Sequence, residues 1–308
     1  MIEFSIKRIL VPVDFSAASI NALDTAIAMA KQQEAGILLL NVVETSGLSD
    51  NSGHNAEETA LAMTHHSEQE LLSLQHSITE RFLMPCEVIS ASGMVSSTII
   101  KISVSHKADI IIMGTHGSSG FRETLIGLNA FNVVKNAACP VLTVPPEKKW
   151  ESFKKILFPV RPTPSALEKY DLVRKIIRRG DATIKILGLA TDYEKDVDLL
   201  KELAGQLNEK AKDDAVEAST YFKVGKNMAE EVLKIAVLME ADLVVITNSI
   251  DSLPSSSGQF FVGPYTRYII NHSLFPVLSV KPSGTNEQVE EELQPGRESF
   301  TQEMPLYN

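Results

Sequence analysis

"IIIMGTHGSSGFRETLIGLNAF", residues 110 to 131, is an apolar run that ends in glycines and continues into an amphipathic stretch. The run is continuous rather than alternating, as expected of a strand covered by helices on both faces, and so of a parallel sheet. Gly114, Gly117 and Gly120 stand three apart, and Gly127 follows. Glycines placed here let a backbone approach a charged group closely, and the N–H groups opening the helix after Gly127 present a partial positive charge. Such a connection suits a phosphate cradle. Its plainer alternative is a tight strand-to-helix turn that binds nothing.

Outward from this stretch, the chain contains one pattern twice. "KRILVPVDFSAAS" (7 to 19) recurs as "KKILFPVRPTPSA" (154 to 166), "KADIIIMGTHG" (107 to 117) as "EADLVVITNSI" (240 to 250), and "ACPVLTVPP" (138 to 146) as "LFPVLSVKP" (274 to 282). The spacing repeats too: Asp109 to Gly114 and Asp242 to Thr247 are both five steps, and Gly127 to Pro140 and Gly263 to Pro276 are both thirteen. A repeat of this kind sets the whole architecture. In the first copy "RILVPV" reads as a strand, and Ser16 caps a helix whose Ile20, Leu23, Ile27 and Ala30 follow helical spacing. "GILLLNVV", a helix from about 57 to 82, "CEVIS", a helix from about 94 to 106, "DIIIMG", a helix from about 127 to 137 and "PVLTV" complete the alternation. The predicted fold is α/β: two tandem doubly wound parallel-sheet domains of five strands each. The boundaries are 1 to 146 and 153 to 283, followed by an acidic tail from 284 to 308 read as flexible. The linker near 145 to 153 is short, so the two domains are expected to pack together. The polar loop 45 to 56 has no counterpart in the second half and reads as a flap beside the first-half site.

Composition narrows the function. The chain has 308 residues, 44% hydrophobic and 22% charged, as in ordinary globular proteins. Its net charge of -10 argues against a nucleic-acid partner, although six Glu against one Arg in residues 285 to 308 account for half of it. No apolar run spans a bilayer and the start lacks a signal-type segment, so the expectation is a cytoplasmic protein with no membrane partner. Cys86 and Cys139 read as small buried thiols in strand-like runs. The histidines at 54, 65, 66 and 76 lack zinc-ligand spacing. There is no nucleophile elbow and no Walker lysine motif, so no catalytic residue is nominated.

With "ILVPVDFS", "LLLNVVE" and "GTHGSSGFRETLIG...CPVLTV" on the page, the chain resembles a tandem universal stress protein over about residues 5 to 282. The resemblance implies a Rossmann-like, adenine nucleotide alpha hydrolase-like fold and a stress-response role. Nucleotide-binding members carry Gly, two residues, Gly, nine residues, Gly and then Ser or Thr. Gly114, Gly117 and Gly127 fit that pattern, and Leu128 departs from it. Carried over, the resemblance implies that Pro12, Val13, Asp14 and Val42 lie at the adenine and ribose end. Met113, Gly114, His116 and Gly117 would follow the ribose and phosphates, and Gly127, Leu128 and Asn129 would close over the polyphosphate. The implied ligand is ATP, with Mg or without it, or else AMP or another adenine nucleotide. Leu128 removes one hydroxyl donor and a magnesium contact while keeping the backbone amides. Losing one hydrogen bond to a charged group costs about 1.5 to 3 kcal/mol, or roughly one to two decades of affinity.

The second half is read as a degenerate copy. Arg161 stands where Asp14 does, and Thr247 and Ile250 replace the first two glycines. Gly263 and Thr266 could still hold an anion, and the serine-rich loop 252 to 258 reads as surface. The resemblance also implies that the last strands, "PVLTV" and "PVLSV", pair with each other inside the chain, as the last strands of single-domain members pair in dimers. A homodimer and an unnamed protein partner stay open. Two other functions compete with ATP-dependent signalling at, at most, slow hydrolysis. One is an interaction module with both sites lost. The other is an enzyme of the related adenylating families, disfavoured because neither His-x-Gly-His nor Ser-Gly-Gly occurs.

Overall fold

The computed structural model describes residues 6–44, 53–115, 127–146, 150–161, 165–177, 181–190, 193–247 and 264–281, with backbone alone at 53–61, 165 and 193–196. The first half contains β1 (Arg8–Pro12), α1 (Ala17–Gln33), β2 (Gly36–Val43), α2 (Gly53–Phe82), β3 (Cys86–Ser92), α3 (Val95–Ser105), β4 (Ile110–Gly114), α4 (Leu128–Asn136) and β5 (Val141–Val144). The second repeats the order: β6 (Lys155–Val160), α5 (Ser165–Ile176), β7 (Thr183–Ala190), α6 (Tyr193–Asp213), β8 (Glu217–Val224), α7 (Met228–Leu238), β9 (Leu243–Thr247), α8 (Pro264–His272) and β10 (Val277–Val280). α2 starts about a turn earlier than the apolar pattern suggested, through residues that contribute no apolar stripe.

The ten strands among the described residues form one sheet in the order β3-β2-β1-β4-β5-β10-β9-β6-β7-β8. Every pairing is parallel except the central one, where β5 and β10 run antiparallel with Val277 opposite Thr143 and Leu278 opposite Leu142. Both of these four-residue strands are fully buried. Each is too apolar to leave as an open edge, and pairing them removes two edges at once. The Thr143 hydroxyl adds a bond to the Val277 carbonyl at 3.3 Å.

Successive strand residues point to opposite faces, and the core divides accordingly. Ile9, Val11, Ile37, Leu39, Ile110 and Ile112 pack with α1 and α2, whereas Leu10, Leu38, Leu40, Ile111 and Met113 pack with α3 and α4. The second half divides in the same way, with α5 and α6 on one face and α7 and α8 on the other. The aspartate common to both copies has the same task in each. Asp109 Oδ2 accepts from the backbone N–H of Lys7 and Arg8, both at 2.8 Å, and Asp242 Oδ2 accepts from Lys154 and Lys155 at 3.1 and 3.0 Å. These carboxylates cap the entry to β1 and β6, at the end of the sheet opposite Gly114 and Thr247. Cys86 opens β3 and is buried, while Cys139 precedes β5 in a bend and is only partly buried.

Candidate functional site

In each half the chain lays strands outward from the first strand in one direction and then in the other, so a crevice opens beyond the carboxyl ends of β1 and β4. β1 is carried one residue further when the Val13 N–H donates to the Leu40 carbonyl at 2.8 Å. The Val13 carbonyl accepts from Asn41 Nδ2 at 2.7 Å, and Ser67 Oγ donates to Asn41 Oδ1 at 2.6 Å. This buried relay fixes the rim on which Asp14 sits. Asp14 is exposed, and its Oδ1 accepts from the Ser16 N–H at 3.1 Å and the Ser16 hydroxyl at 2.5 Å. Ser16 in turn caps α1 by accepting from the Ser19 N–H at 3.3 Å. Between them Phe15 holds a left-handed φ of 62°, which an aromatic residue adopts at a cost of about 1 kcal/mol. The carboxylate is thus held at the crevice mouth by the turn that starts α1.

The glycines differ in what requires them. A Cβ on Gly114 would stand 3.0 Å from the backbone carbon and oxygen of Ala18, so this glycine lets α1 lie against β4. Gly127 has backbone angles of −57° and 143°, open to any residue, and among the described residues an added Cβ would meet the Thr115 carbonyl oxygen alone, at 3.6 Å. Its N–H donates to that same oxygen at 2.8 Å, which places the start of α4 beside the end of β4. The remaining first-turn amides, those of Leu128, Asn129 and Ala130, have no acceptor within their own helix. Leu128 is 78% exposed, so its side chain is not packed into the protein. Asn129 is exposed beside it. The side chains of Val13 and Met113 are buried in the two cores, so these residues present backbone alone to the crevice; Pro12 and Val42 are half-buried. His116 and Gly117 lie outside the described residues.

The second crevice is filled from within. Arg161 occupies the place of Asp14, Thr247 that of Gly114, and Tyr265 that of Asn129. The guanidinium carbon of Arg161 lies 5.6 Å from the centre of the Tyr265 ring. Lys169 on α5 stands where α1 has the buried Ala22, and its ammonium donates to the carbonyls of Pro159 and Val245. The cavity left among these groups measures about 10 Å³, against the several hundred that a nucleoside needs. Ile250 and Gly263 lie outside the described residues.

A model of the universal stress protein family matches the chain twice, over residues 5–145 and 152–281. The chain belongs to the universal stress protein family. Universal stress protein MJ0531 of Methanocaldococcus jannaschii is 32% identical over 143 residues, covering 46% of this chain and 84% of that protein. The crystal structure of a universal stress protein from Archaeoglobus fulgidus aligns over 90% of this chain and 97% of its own at a TM-score of 0.69 and 21% identity. A Pseudomonas aeruginosa structure described as a putative universal stress protein covers 93% and 97% at a TM-score of 0.63 and 17% identity. These structures share the fold across both halves, and the tandem organisation follows from the double match.

Two residues of this universal stress protein that matter to its crevices escaped sequence reading. Asn41 lies inside an apolar strand, where a single amide gives no periodic signal. Lys169 was more accessible, because Ala166, Tyr170 and Val173 mark a buried stripe on which it falls. Among the described residues no cluster of three His, Cys, Asp or Glu is placed to hold a metal ion, and no helix is long and apolar enough to cross a membrane.

Proposed function

We propose that the first half of this universal stress protein binds an adenine nucleotide, ATP foremost, between the Asp14 turn and the first turn of α4, and that occupancy acts as a stress signal. The observation that carries this reading is Gly127. Among the described residues neither its backbone angles nor its neighbours call for glycine, and space left open beside a helix N-terminus suits a ligand's charged end. The α4 amides next to it suit phosphate oxygens, and the exposed Leu128 leaves the entrance open. Asp14 suits hydroxyl groups of a ribose. Magnesium would then be held by the nucleotide's own phosphates. The role in this reading is that of a binding protein with at most slow turnover. AMP and other adenine ligands compete for the same room. A cytoplasmic location is part of this reading, and the free thiols of Cys86 and Cys139 suit a reducing compartment.

A second reading, a scaffold that binds no nucleotide, draws on Gly114, whose glycine is explained by packing against Ala18. Thermal denaturation with ATP and magnesium separates the two. A midpoint that rises at sub-millimolar ATP and goes on rising with the logarithm of its concentration supports the first reading, and an unchanged midpoint at millimolar ATP leaves the scaffold. Mass spectrometry of small molecules released on denaturing the purified protein identifies the adenine ligand.

A further inference from the structure

β8 ends the sheet, and among the described residues no strand pairs with its outer side. It is eight residues long, and its Tyr221, Phe222 and Val224 are 53%, 42% and 41% exposed. A long edge carrying apolar side chains is a template for a further strand. β3, at the other end of the sheet, is built differently. Counting back from Gly93 and Gly225, whose N–H groups close the two strands alike, Ser90 and Ser92 stand where β8 has Phe222 and Val224.

The backbone of β8 restricts what can join it. The Gly225 N–H donates to the Ala190 carbonyl at 3.1 Å, and Ala190 lies opposite Val224. Alternate residues of a parallel ladder turn both backbone groups to the same neighbour. The odd-numbered residues of β8 therefore spend theirs on β7, and the N–H and C=O groups of Ala218, Thr220, Phe222 and Val224 point outward. An antiparallel newcomer has to meet these with outward groups of its own. A second β8 does so when Thr220 faces Thr220 across a two-fold axis, which sets Ala218 opposite Phe222 and Glu217 opposite Lys223 on each side of the axis. That register joins unlike charges. Glu217 is exposed and has no ion-pair partner among the described residues. Lys223 lies 3.2 Å from Glu231, which keeps a second cation, Lys234, at 3.4 Å if Lys223 turns away. β3 offers no such match: its one charged residue, Glu87, pairs with Arg8 and has no cation on its own strand to meet.

We propose that β8 is a self-association edge, at which two copies of this chain pair their β8 strands antiparallel about Thr220 and extend two ten-stranded sheets into one. The arrangement repeats the β5–β10 join in the middle of the chain, where two parallel blocks meet through one antiparallel pair. Thr220 forms its backbone hydrogen bonds on the axis. Glu217 and the partner's Lys223 fall in a pair without hydrogen bonds between them, the kind in which side chains stand closer together. Phe222 comes to lie over the partner's Ala218 and loses its contact with water. The proposal does not depend on whether either crevice binds a nucleotide.

The test is sedimentation equilibrium of the full chain across micromolar concentrations, as suits an interface of modest size. The wild type is expected to show a monomer–dimer equilibrium. Lys223→Glu sets like charges opposite each other twice, by symmetry, and should weaken the dimer by about tenfold or more. Glu217→Lys should do the same. The double variant, Glu217→Lys with Lys223→Glu, restores both pairs and should return the affinity to within about threefold of wild type. Amide hydrogen exchange of the wild type gives a readout free of substitutions. As concentration rises, the amides of Ala218, Thr220 and Phe222 should gain protection, while those of Ser219 and Tyr221, already bonded to β7, should not change. A wild type that stays monomeric overturns the proposal, and so does a dimer indifferent to Lys223→Glu or a double variant that binds no tighter than the single ones. A monomer in which Ala218, Thr220 and Phe222 are already protected would show another segment of the same chain seated on β8, and overturns it too. Should circular dichroism show Lys223→Glu unfolded, Glu217→Lys and the exchange pattern decide, and a dimer that protects none of the three outward amides overturns the proposal.

Discussion

Gly114 lies so close to Ala18 that a Cβ on it would stand 3.0 Å from two backbone atoms of α1. Those atoms belong to the first turn of a helix held by its Ser16 cap and cannot swing aside as a flexible side chain would. Gly114→Ala should therefore destabilise the protein by about 1 to 3 kcal/mol through overpacking, lowering the melting temperature by several degrees. An unchanged melting temperature would show that α1 yields freely and that the glycine is kept for another reason.

Leu128 offers the converse case. It is 78% exposed at the first position of α4, so Leu128→Ser removes little packing and adds a hydroxyl beside the helix amides. ATP affinity should rise by roughly ten- to a hundredfold, the worth of a hydrogen bond to a charged group of about 1.5 to 3 kcal/mol, with stability within about 0.5 kcal/mol of wild type. Equal ATP affinity in both proteins, measured by titration calorimetry, would place the phosphates away from α4.

Asn41 anchors the rim of the first crevice through the Val13 carbonyl at 2.7 Å and the Ser67 hydroxyl at 2.6 Å. Asn41→Leu leaves both partners buried without it, a loss of about 2 to 4 kcal/mol. Urea denaturation should show this. Because Asp14 follows Val13 directly, ATP affinity should fall along with stability. In the second half the equivalent of Asn41 is Gly188, with the Phe222 ring packed against it, so no such relay exists there.

Lys169 predicts a pH dependence of stability. Burial lowers its pKa to about 7 from an ordinary value of 10.5. Between those values the unfolded chain binds the proton and the folded chain does not, so stability rises with pH across that window and levels off below pH 7, where both are charged. From pH 7 to about 9.5 the gain should be roughly 3 kcal/mol. Lys169→Met should remove this slope from urea-denaturation midpoints; a slope that persists would assign it to other groups.

Both thiols should resist modification. Burial is the main cause that pushes each of them up to about 11, so at pH 8 only about one part in a thousand is thiolate. A thiol reagent should label the native protein slowly and both cysteines at once in denaturant. Rapid labelling of native Cys139 would show that the bend before β5 opens.

Much of this architecture was present in the order of residues. Continuous apolar runs such as 110 to 113 require cover on two faces, and repeated spacing places the second half on the same plan. The pairing of strands 141 to 144 and 277 to 280, which the family resemblance implied, is present as an antiparallel ladder. The apolar runs and the repeat depend on local periodicity, which a linear sequence displays. Which glycine is demanded by packing was settled only in three dimensions, because Gly114 and Gly127 are the same residue in one motif. Their neighbours, Ala18 and Thr115, come from different parts of the fold. Likewise only folding brings Lys169, Arg161 and Tyr265 to one cavity. The free energy of a buried charge depends on groups around it in space, and those are set by strand order and helix packing, not by position along the chain.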